Sequence, residues 1–337
     1  IEEKIIHTGQ HFDRNMSEVF FDTLQIPKPY LNLHISSLSH GAMTGRMIEK
    51  IEEVLTQEKP NLLVVYGDTN STLAGAIAAS KLKIPVAHIE AGLRSFNLEM
   101  PEEINRILTD RISNFLFCPS DLAIKNLKNE GYPNQLYKNE FQTIKNFGDV
   151  MYDAAIFYKA KAEKNKVLIK NDLKSKEYIL CTIHRQENIE NESKLYEIFH
   201  ALSEIQKKVQ IVFPVHPRTK NIITSKEWFQ KLNLIKFINP QPYLEMQKLI
   251  MDSHLIITDS GGIQKEAYFH QVQCITVRKE TEWMETIDLG WNCLVEANKE
   301  KLVNLFNRRF KKIPFSKKIY GDGKSAKYIL NEIINNI

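Results

Sequence analysis

Cysteine is scarce: four in 337 residues, Cys118, Cys181, Cys274 and Cys293, with no C-x-x-C spacing. That spacing excludes a zinc ribbon and a disulfide framework. Three of the four stand in apolar, strand-like runs (Phe115-Leu116-Phe117-Cys118, Tyr178-Ile179-Leu180-Cys181 and Cys274-Ile275-Thr276-Val277), which points to buried thiols in a reducing, cytoplasmic setting. No apolar run approaches the ~18 residues of a membrane span, and no signal-peptide pattern opens the chain, so no membrane span is expected. Neither G-x-G-x-x-G nor G-x-x-x-x-G-K-[ST] occurs, which removes the dinucleotide fingerprint and the P-loop; no metal and no redox cofactor are expected. Charge of one sign is also lacking. The formal net charge is only +4, and the lysine runs at 161–166 and 311–318 read as solvated faces, so nucleic acid is not an expected partner.

What the chain does contain is globular. Hydrophobic residues make up 43% and charged residues 26%, and this length exceeds what one core usually supports, so two domains are expected. Short apolar runs alternate with helical patterns. Strand-like runs are Glu3–Thr8, Leu62–Tyr66, Pro85–Ile89, Phe115–Cys118, Tyr178–Ile183, Val209–Val215, Leu234–Phe237, Leu255–Thr258 and Cys274–Val277. Amphipathic segments include Leu73–Lys81, Ile104–Ser113, Lys194–Lys207 and Tyr243–Ser253. Such alternation predicts an α/β fold with parallel sheets covered on both faces. It lapses over the polar, lysine-rich stretch from Asp149 to Lys176 and then restarts. The expectation is two doubly wound, Rossmann-like domains, residues 1–160 and 170–320, with the active site in the interdomain cleft beyond the strand ends. A doubly wound domain begins with a βα unit, and a full βαβ runs to roughly 30 residues or more. This sequence opens directly on a strand and the His7-Thr8-Gly9-Gln10-His11 loop, so a preceding unit is expected to be missing.

The loops that follow the strands hold the ionisable residues. Gly67-Asp68-Thr69 leads into a helix, where Asp68 or Thr69 could simply be the N-cap. His88-Ile89-Glu90-Ala91-Gly92-Leu93-Arg94 sets a carboxylate and a guanidinium around a glycine turn, suited to an ion pair or to a substrate. Pro101-Glu102-Glu103-Ile104-Asn105-Arg106 opens a helix, where Glu102 suits the dipole and could pair with Arg106 four residues on. In the second half, His184-Arg185-Gln186-Glu187-Asn188 and His216-Pro217-Arg218 place His and Arg at two comparable strand ends. Asp259-Ser260-Gly261-Gly262 passes from a strand into a helix, a turn whose free N–H groups attract phosphate oxygens. Glu266, one turn in, could accept from ribose hydroxyls.

These motifs in this order resemble the non-hydrolysing UDP-N-acetylglucosamine 2-epimerases over nearly the whole chain. The resemblance implies a GT-B-like fold with UDP held mainly by the second domain and a final helix, 321–337, packing back on the first. It implies epimerisation of UDP-N-acetylglucosamine to UDP-N-acetylmannosamine for surface polysaccharide precursors, by UDP elimination through a 2-acetamidoglucal and re-addition. Catalytic roles fall on Asp68, Glu90, Glu102 and His184, and substrate contacts on Gln10, Arg106, Arg185, Ser260, Gly261, Gly262 and Glu266. A UDP-sugar is the implied ligand, no cofactor is implied, and the implied assembly is a homodimer. Two departures stand out. The family's opening Gly-x-Arg-Pro is absent, and its Thr-Glu-Arg-Pro-Glu stretch reads Thr281-Glu282-Trp283-Met284-Glu285, where tryptophan cannot supply an arginine's charge or fork of donors. That form, with Ser95-Phe96-Asn97, resembles the branch acting on UDP-2,3-diacetamido-2,3-dideoxyglucuronate. A GT-B glycosyltransferase and an inactive sugar-nucleotide-binding fragment are the alternatives of another class.

Overall fold

The computed structural model describes residues 1–9, 21, 23–137, 140–215, 217–308, 314–316 and 319–337. The chain forms two compact units, Ile1–Ala154 with Lys317–Ile337, and Ala155–Ser316. The division falls within the helix Val150–Glu163.

The first unit carries β1 (Ile6–His7) paired in parallel with β2 (Leu31–Asn32), and a parallel sheet built from β3 (Leu63–Tyr66), β4 (Val86–Ile89) and β5 (Phe115–Cys118). A short hairpin, β6 (Gln135–Tyr137) with β7 (Glu140–Phe141), precedes β8 (Thr143–Asn146), which closes the sheet beside β5. Strands β4 and β5 are buried along their whole length, as strands covered on both faces must be. Met47, Ile51 and Leu55 of the helix His40–Glu58 fall at i, i+4 and i+8 and bury one stripe against Val65, Ala74 and Val86. On the other face, Ile329 and Ile333 of the final helix Ser325–Asn336 join Ala87, Ile89, Phe115 and Phe117.

In the second unit six parallel strands, β9 (Tyr178–Thr182), β10 (Gln210–Pro214), β11 (Ile235–Ile238), β12 (Leu255–Thr258), β13 (Cys274–Val277) and β14 (Asn292–Val295), lie in the order β11-β10-β9-β12-β13-β14. Counted within the unit this is 3-2-1-4-5-6, the Rossmann order, whose reversal point lies between β9 and β12. The period of two sorts the side chains. Ile179, Cys181, Ile211, Phe213, Ile257 and Ile275 face the helix Glu192–Ile205, while Tyr178, Leu180, Val212, Ile256 and Cys274 pack against Leu249, Ile250 and Ala267. Among the described residues no helix is long and apolar enough to cross a membrane.

Strands β8 and β14 are absent from the apolar runs picked out in the sequence. Both stand at sheet edges, and Thr-Ile-Lys-Asn and Asn-Cys-Leu-Val need not be wholly apolar there. The lysine-rich stretch after Asp149, where the alternation lapses, is helical over Val150–Glu163 and Val167–Lys170.

Gly148 ties the final segment to the first unit. Its φ is +88°, and a Cβ there would stand 2.6 Å from the Tyr320 carbonyl oxygen. Beside it Asp149 N–H donates to the same carbonyl at 2.9 Å, and Ala326 N–H donates to Asp153 Oδ2 at 2.7 Å. Gly148→Ala is therefore expected to cost more than ~1 kcal/mol from the left-handed backbone and the clash together. A thermal melt unchanged from the parent would refute that reading.

Candidate functional site

At the end of β3, Thr69 and not Asp68 caps the helix Asn70–Lys81. Thr72 N–H donates to Thr69 Oγ1 at 3.4 Å, and Thr69 N–H donates back to Thr72 Oγ1 at 3.2 Å. The Asp68 carboxylate, a third exposed, instead accepts from Arg106 Nη2. Arg106 is buried and also donates through Nη1 to Glu103, so the pairing open to Glu102 four residues earlier goes to Glu103 and Asp68. Glu103 is fully buried and accepts as well from Ser95 N (2.9 Å), Ser95 Oγ (3.0 Å) and Phe96 N (3.0 Å). Glu102 is exposed on the first turn of the helix Pro101–Ile112.

That helix turns a polar face inward: Glu103, Arg106 and Asp110 lie at i, i+3 and i+7 and all are buried. Asp110 Oδ1 lies 2.7 Å from His88 Nδ1, and Oδ2 accepts from Arg94 Nη1 at 2.7 Å and Gly92 N at 3.1 Å. Burial alone would raise the Asp110 carboxyl, but His88 and Arg94 hold it below the usual carboxylate range. His88 Nε2 reaches the Gly67 carbonyl at 2.7 Å. Arg94 makes its other fork to Glu130, at 2.7 and 2.8 Å, so its partners are Asp110 and Glu130. Glu90 holds φ +76°, in the left-handed region, and its Oε2 stands 3.6 Å from where a Gly67 Cβ would be. A glutamate in that region stores on the order of 1–3 kcal/mol, a cost that recurs where a side chain must be aimed. Thus the first unit brings Asp68, Arg106 and Glu90 to the carboxyl ends of β3 and β4. Gln10 and His216 lie outside the described residues.

In the second unit the reversal point is occupied by Asp259, which is fully buried at the end of β12. Its carboxylate accepts from His184 N (3.1 Å), Arg185 N (3.0 Å) and Asn188 Nδ2 (3.0 Å), all from the segment after β9. Arg185 Nε donates to the Asp259 carbonyl at 2.9 Å, and the half-exposed His184 ring lies 3.4 Å from Asp259 Oδ1. Ser260 caps the helix Gly261–Phe269, with Gly262 as its second residue.

Around Gly261 the space a Cβ would fill is ringed by Trp283 Nε1 (3.7 Å), Arg185 Nη2 (3.8 Å) and Arg278 Nη1 (3.9 Å). Three nitrogens converge here on a helix N-terminus, an arrangement whose donors, charge and dipole suit an anion. Arg278 is buried and fixed by Glu282 at 3.0 and 3.2 Å. Glu266 is buried one turn on. Burial pushes its carboxyl up to about 7, against the opposing pull of the Gln247 amide and Lys265.

The sequence offers Glu103 only as a first-turn acidic residue, and gives no role to Asp110, Arg278 or Lys265. Two signals were available: the Glu103, Arg106, Asp110 spacing on one helix, and Arg278 standing directly beyond the strand Cys274–Val277. Among the described residues no cluster of three His, Cys, Asp or Glu could hold a metal ion.

The model of the UDP-N-acetylglucosamine 2-epimerase family matches residues 1–334. The chain belongs to this family. Similar members include the UDP-2,3-diacetamido-2,3-dideoxy-D-glucuronate 2-epimerase of Pseudomonas aeruginosa, 49% identical over 98% of this chain and 90% of that protein. A UDP-N-acetylglucosamine 2-epimerase homolog of Methanococcus maripaludis is 48% identical, covering 100% and 92%. The crystal structure of the Methanocaldococcus jannaschii UDP-GlcNAc 2-epimerase, in complex with UDP-GlcNAc and UDP, superposes with a TM-score of 0.89 at 43% identity, over 100% of this chain and 92% of that one. The epimerase fold is GT-B-like, with two Rossmann-like domains, as the alternating pattern and the resemblance had led us to expect.

Asp110 and Asp68 separate structural from exposed carboxylates in this epimerase-family chain. Asp110→Asn leaves the buried Arg94 guanidinium and the His88 ring facing a neutral amide, an expected loss of ~3–5 kcal/mol. Asp68→Asn touches a pair a third exposed on one side and is expected to cost about 1 kcal/mol or less. Equal shifts of the two melting curves would contradict the assignment.

Proposed function

We propose that the chain is a UDP-N-acetylglucosamine 2-epimerase. In this reading the C2 proton is removed as the C1–O bond breaks, UDP leaves with its electron pair, and 2-acetamidoglucal remains. C2 is then reprotonated on the opposite face, and UDP adds back at C1 to give UDP-N-acetylmannosamine. The observation that carries the reading is the pair of carboxylates at the ends of β3 and β4, Asp68 beside Arg106 and Glu90 held in a strained backbone next to Gly67. Removal and return of a proton on two faces calls for more than one acid–base group. A transferase moving the sugar to an acceptor has no use for carboxylates at C2.

Asp68, Glu90 and Glu102 serve as the acid–base set, with His184 at the sugar. Arg106 orients Asp68 and reaches the substrate, while Arg185, Ser260, Gly261 and Gly262 receive the diphosphate whose charge grows as C1–O breaks. Glu266 accepts from the ribose, and Gln10 is a further substrate contact. The protein is read as a cytoplasmic homodimer, which sedimentation tests directly. A second substrate, UDP-2,3-diacetamido-2,3-dideoxyglucuronate, is favoured by the Thr281-Glu282-Trp283 form and by the similarity to the Pseudomonas enzyme.

Incubation of each nucleotide sugar in heavy water, followed by NMR, tests the chemistry. The true substrate should return its C2 epimer carrying deuterium at C2, with no added NAD or metal. An epimer that retains its original hydrogen would show direct transfer or redox at a neighbouring carbon. Amide variants of Asp68, Glu90 and Glu102 should each lower turnover by ~10²–10⁴-fold while melting like the parent.

Glu266 adds a pH dependence. Its folded carboxyl titrates at about 7, above the ordinary carboxyl value, and the ribose hydroxyls need the ionised form as acceptor. Binding of UDP-N-acetylglucosamine, whose diphosphate does not titrate in this range, should weaken roughly tenfold from pH 8 to pH 6. Glu266→Gln should flatten that profile. An equal pH slope in the variant would place the titrating group elsewhere.

A further inference from the structure

Position 283 holds tryptophan in the stretch Thr281-Glu282-Trp283-Met284-Glu285, and its surroundings differ from those an arginine could accept. Trp283 is 4% exposed, and its indole Nε1 lies 3.7 Å from the space over Gly261. Over the face of the same ring stands the ammonium of Lys265, 3.9 Å from the centroid, on a side chain with no exposed surface. The backbone of Trp283 is held at both its N–H and its carbonyl. Trp283 N–H donates to Thr281 Oγ1 at 3.2 Å, and Thr281 Oγ1 donates to Gln264 Oε1 at 2.7 Å. Gln264 Nε2 in turn donates to the Ser260 carbonyl at 3.2 Å, and Thr286 Oγ1 donates to the Trp283 carbonyl at 2.8 Å. The loop that carries Trp283 is thus tied to the residue that caps the glycine turn.

An arginine in this place would set a guanidinium against a buried ammonium, two like charges in contact with little water to screen them. An indole avoids that conflict. Its face attracts the cation, and its edge carries an N–H donor.

We propose that Trp283 and Lys265 together form a diphosphate-binding element, the indole Nε1 donating to a phosphate oxygen over Gly261 and Lys265 supplying positive charge from behind the ring. The element rests on the nucleotide-sugar reading of the glycine turn. It assigns the role to two buried residues, with Arg185 and Arg278 completing the ring of donors.

Calorimetry with UDP and with uridine, on the full chain, tests it. Trp283→Phe keeps the aromatic face and loses the N–H. UDP binding should weaken about tenfold or more, as for loss of a hydrogen bond to a charged group, and uridine binding should stay unchanged. Lys265→Met keeps the length of the side chain and loses the charge, and should also weaken UDP while leaving uridine unchanged. Unaltered UDP affinity in Trp283→Phe overturns the proposal, and so does an equal loss for UDP and uridine in both variants, which would make the pair a structural support of the turn. A parent protein that binds no UDP at all would overturn the nucleotide-sugar reading as well, a result distinct from both.

Discussion

Asp259 sits fully buried at the carboxyl end of β12, where its carboxylate gathers the amides of His184 and Arg185 and the side chain of Asn188 from the segment beyond β9. A carboxylate taken out of water costs several kcal/mol unless its lone pairs are met. Here they are met by N–H groups that would otherwise end a strand without partners. The same bonds lock two segments that are far apart in sequence and adjacent only because the strand order reverses between β9 and β12. With the backbone of His184 and Arg185 fixed to Asp259, the Arg185 guanidinium can bond the Asp259 carbonyl and still extend a nitrogen toward Gly261. The place of the Arg185 nitrogen beside Gly261 therefore depends on the Asp259 carboxylate.

Asp110 does comparable work in the first unit with different partners. It is met by His88, Arg94 and one amide, so side chains supply most of what backbone amides supply to Asp259. The consequence runs through the helix Pro101–Ile112. Because Glu103, Arg106 and Asp110 occupy its inner face, Ile104 and Leu108 are left exposed on the other. The usual sense of helix amphipathicity is inverted. Such an inner face is stable only when every member is satisfied, which is why Glu103 also holds two amides of the Ser95–Phe96 turn.

The strands buried on both faces were legible because their sequences are continuously apolar: Phe115–Cys118, Leu255–Thr258 and Cys274–Val277 have the same bounds in the structure. Edge strands β8 and β14 face weaker demands, and their composition gives no such signal. At the site, motif order pointed to Asp68, Glu90, His184 and the Ser260-Gly261-Gly262 turn, but partners were less readable. Arg94 follows Glu90 by four residues and yet pairs with Asp110 and Glu130. Arg106 follows Glu102 by four and pairs with Glu103 and Asp68. Helical spacing offered both choices for Arg106, and the decision belongs to tertiary packing, which draws the guanidinium inward. Thr69 rather than Asp68 makes the cap through reciprocal bonds with Thr72, and that small local outcome leaves the Asp68 carboxylate to Arg106.

Both units bury polar groups, but the ionisable residues at their strand ends differ in exposure. Lys265, Arg278, Glu282 and Trp283 are all buried around the Gly261 turn, whereas Asp68 is a third exposed and Glu102 lies on the surface of its helix. A group that only attracts a fixed charge gains from burial, because a low dielectric strengthens the attraction and packing removes the cost of orientation. A group that accepts a proton and later releases it must exchange with water, and full burial would trap it in one protonation state. Glu266 stands between these cases, buried among the anion-site residues yet poised at about 7. In the proposed reading, ribose hydroxyls reaching this carboxyl would favour its charged form, so the nucleotide would complete the solvation that the fold withholds.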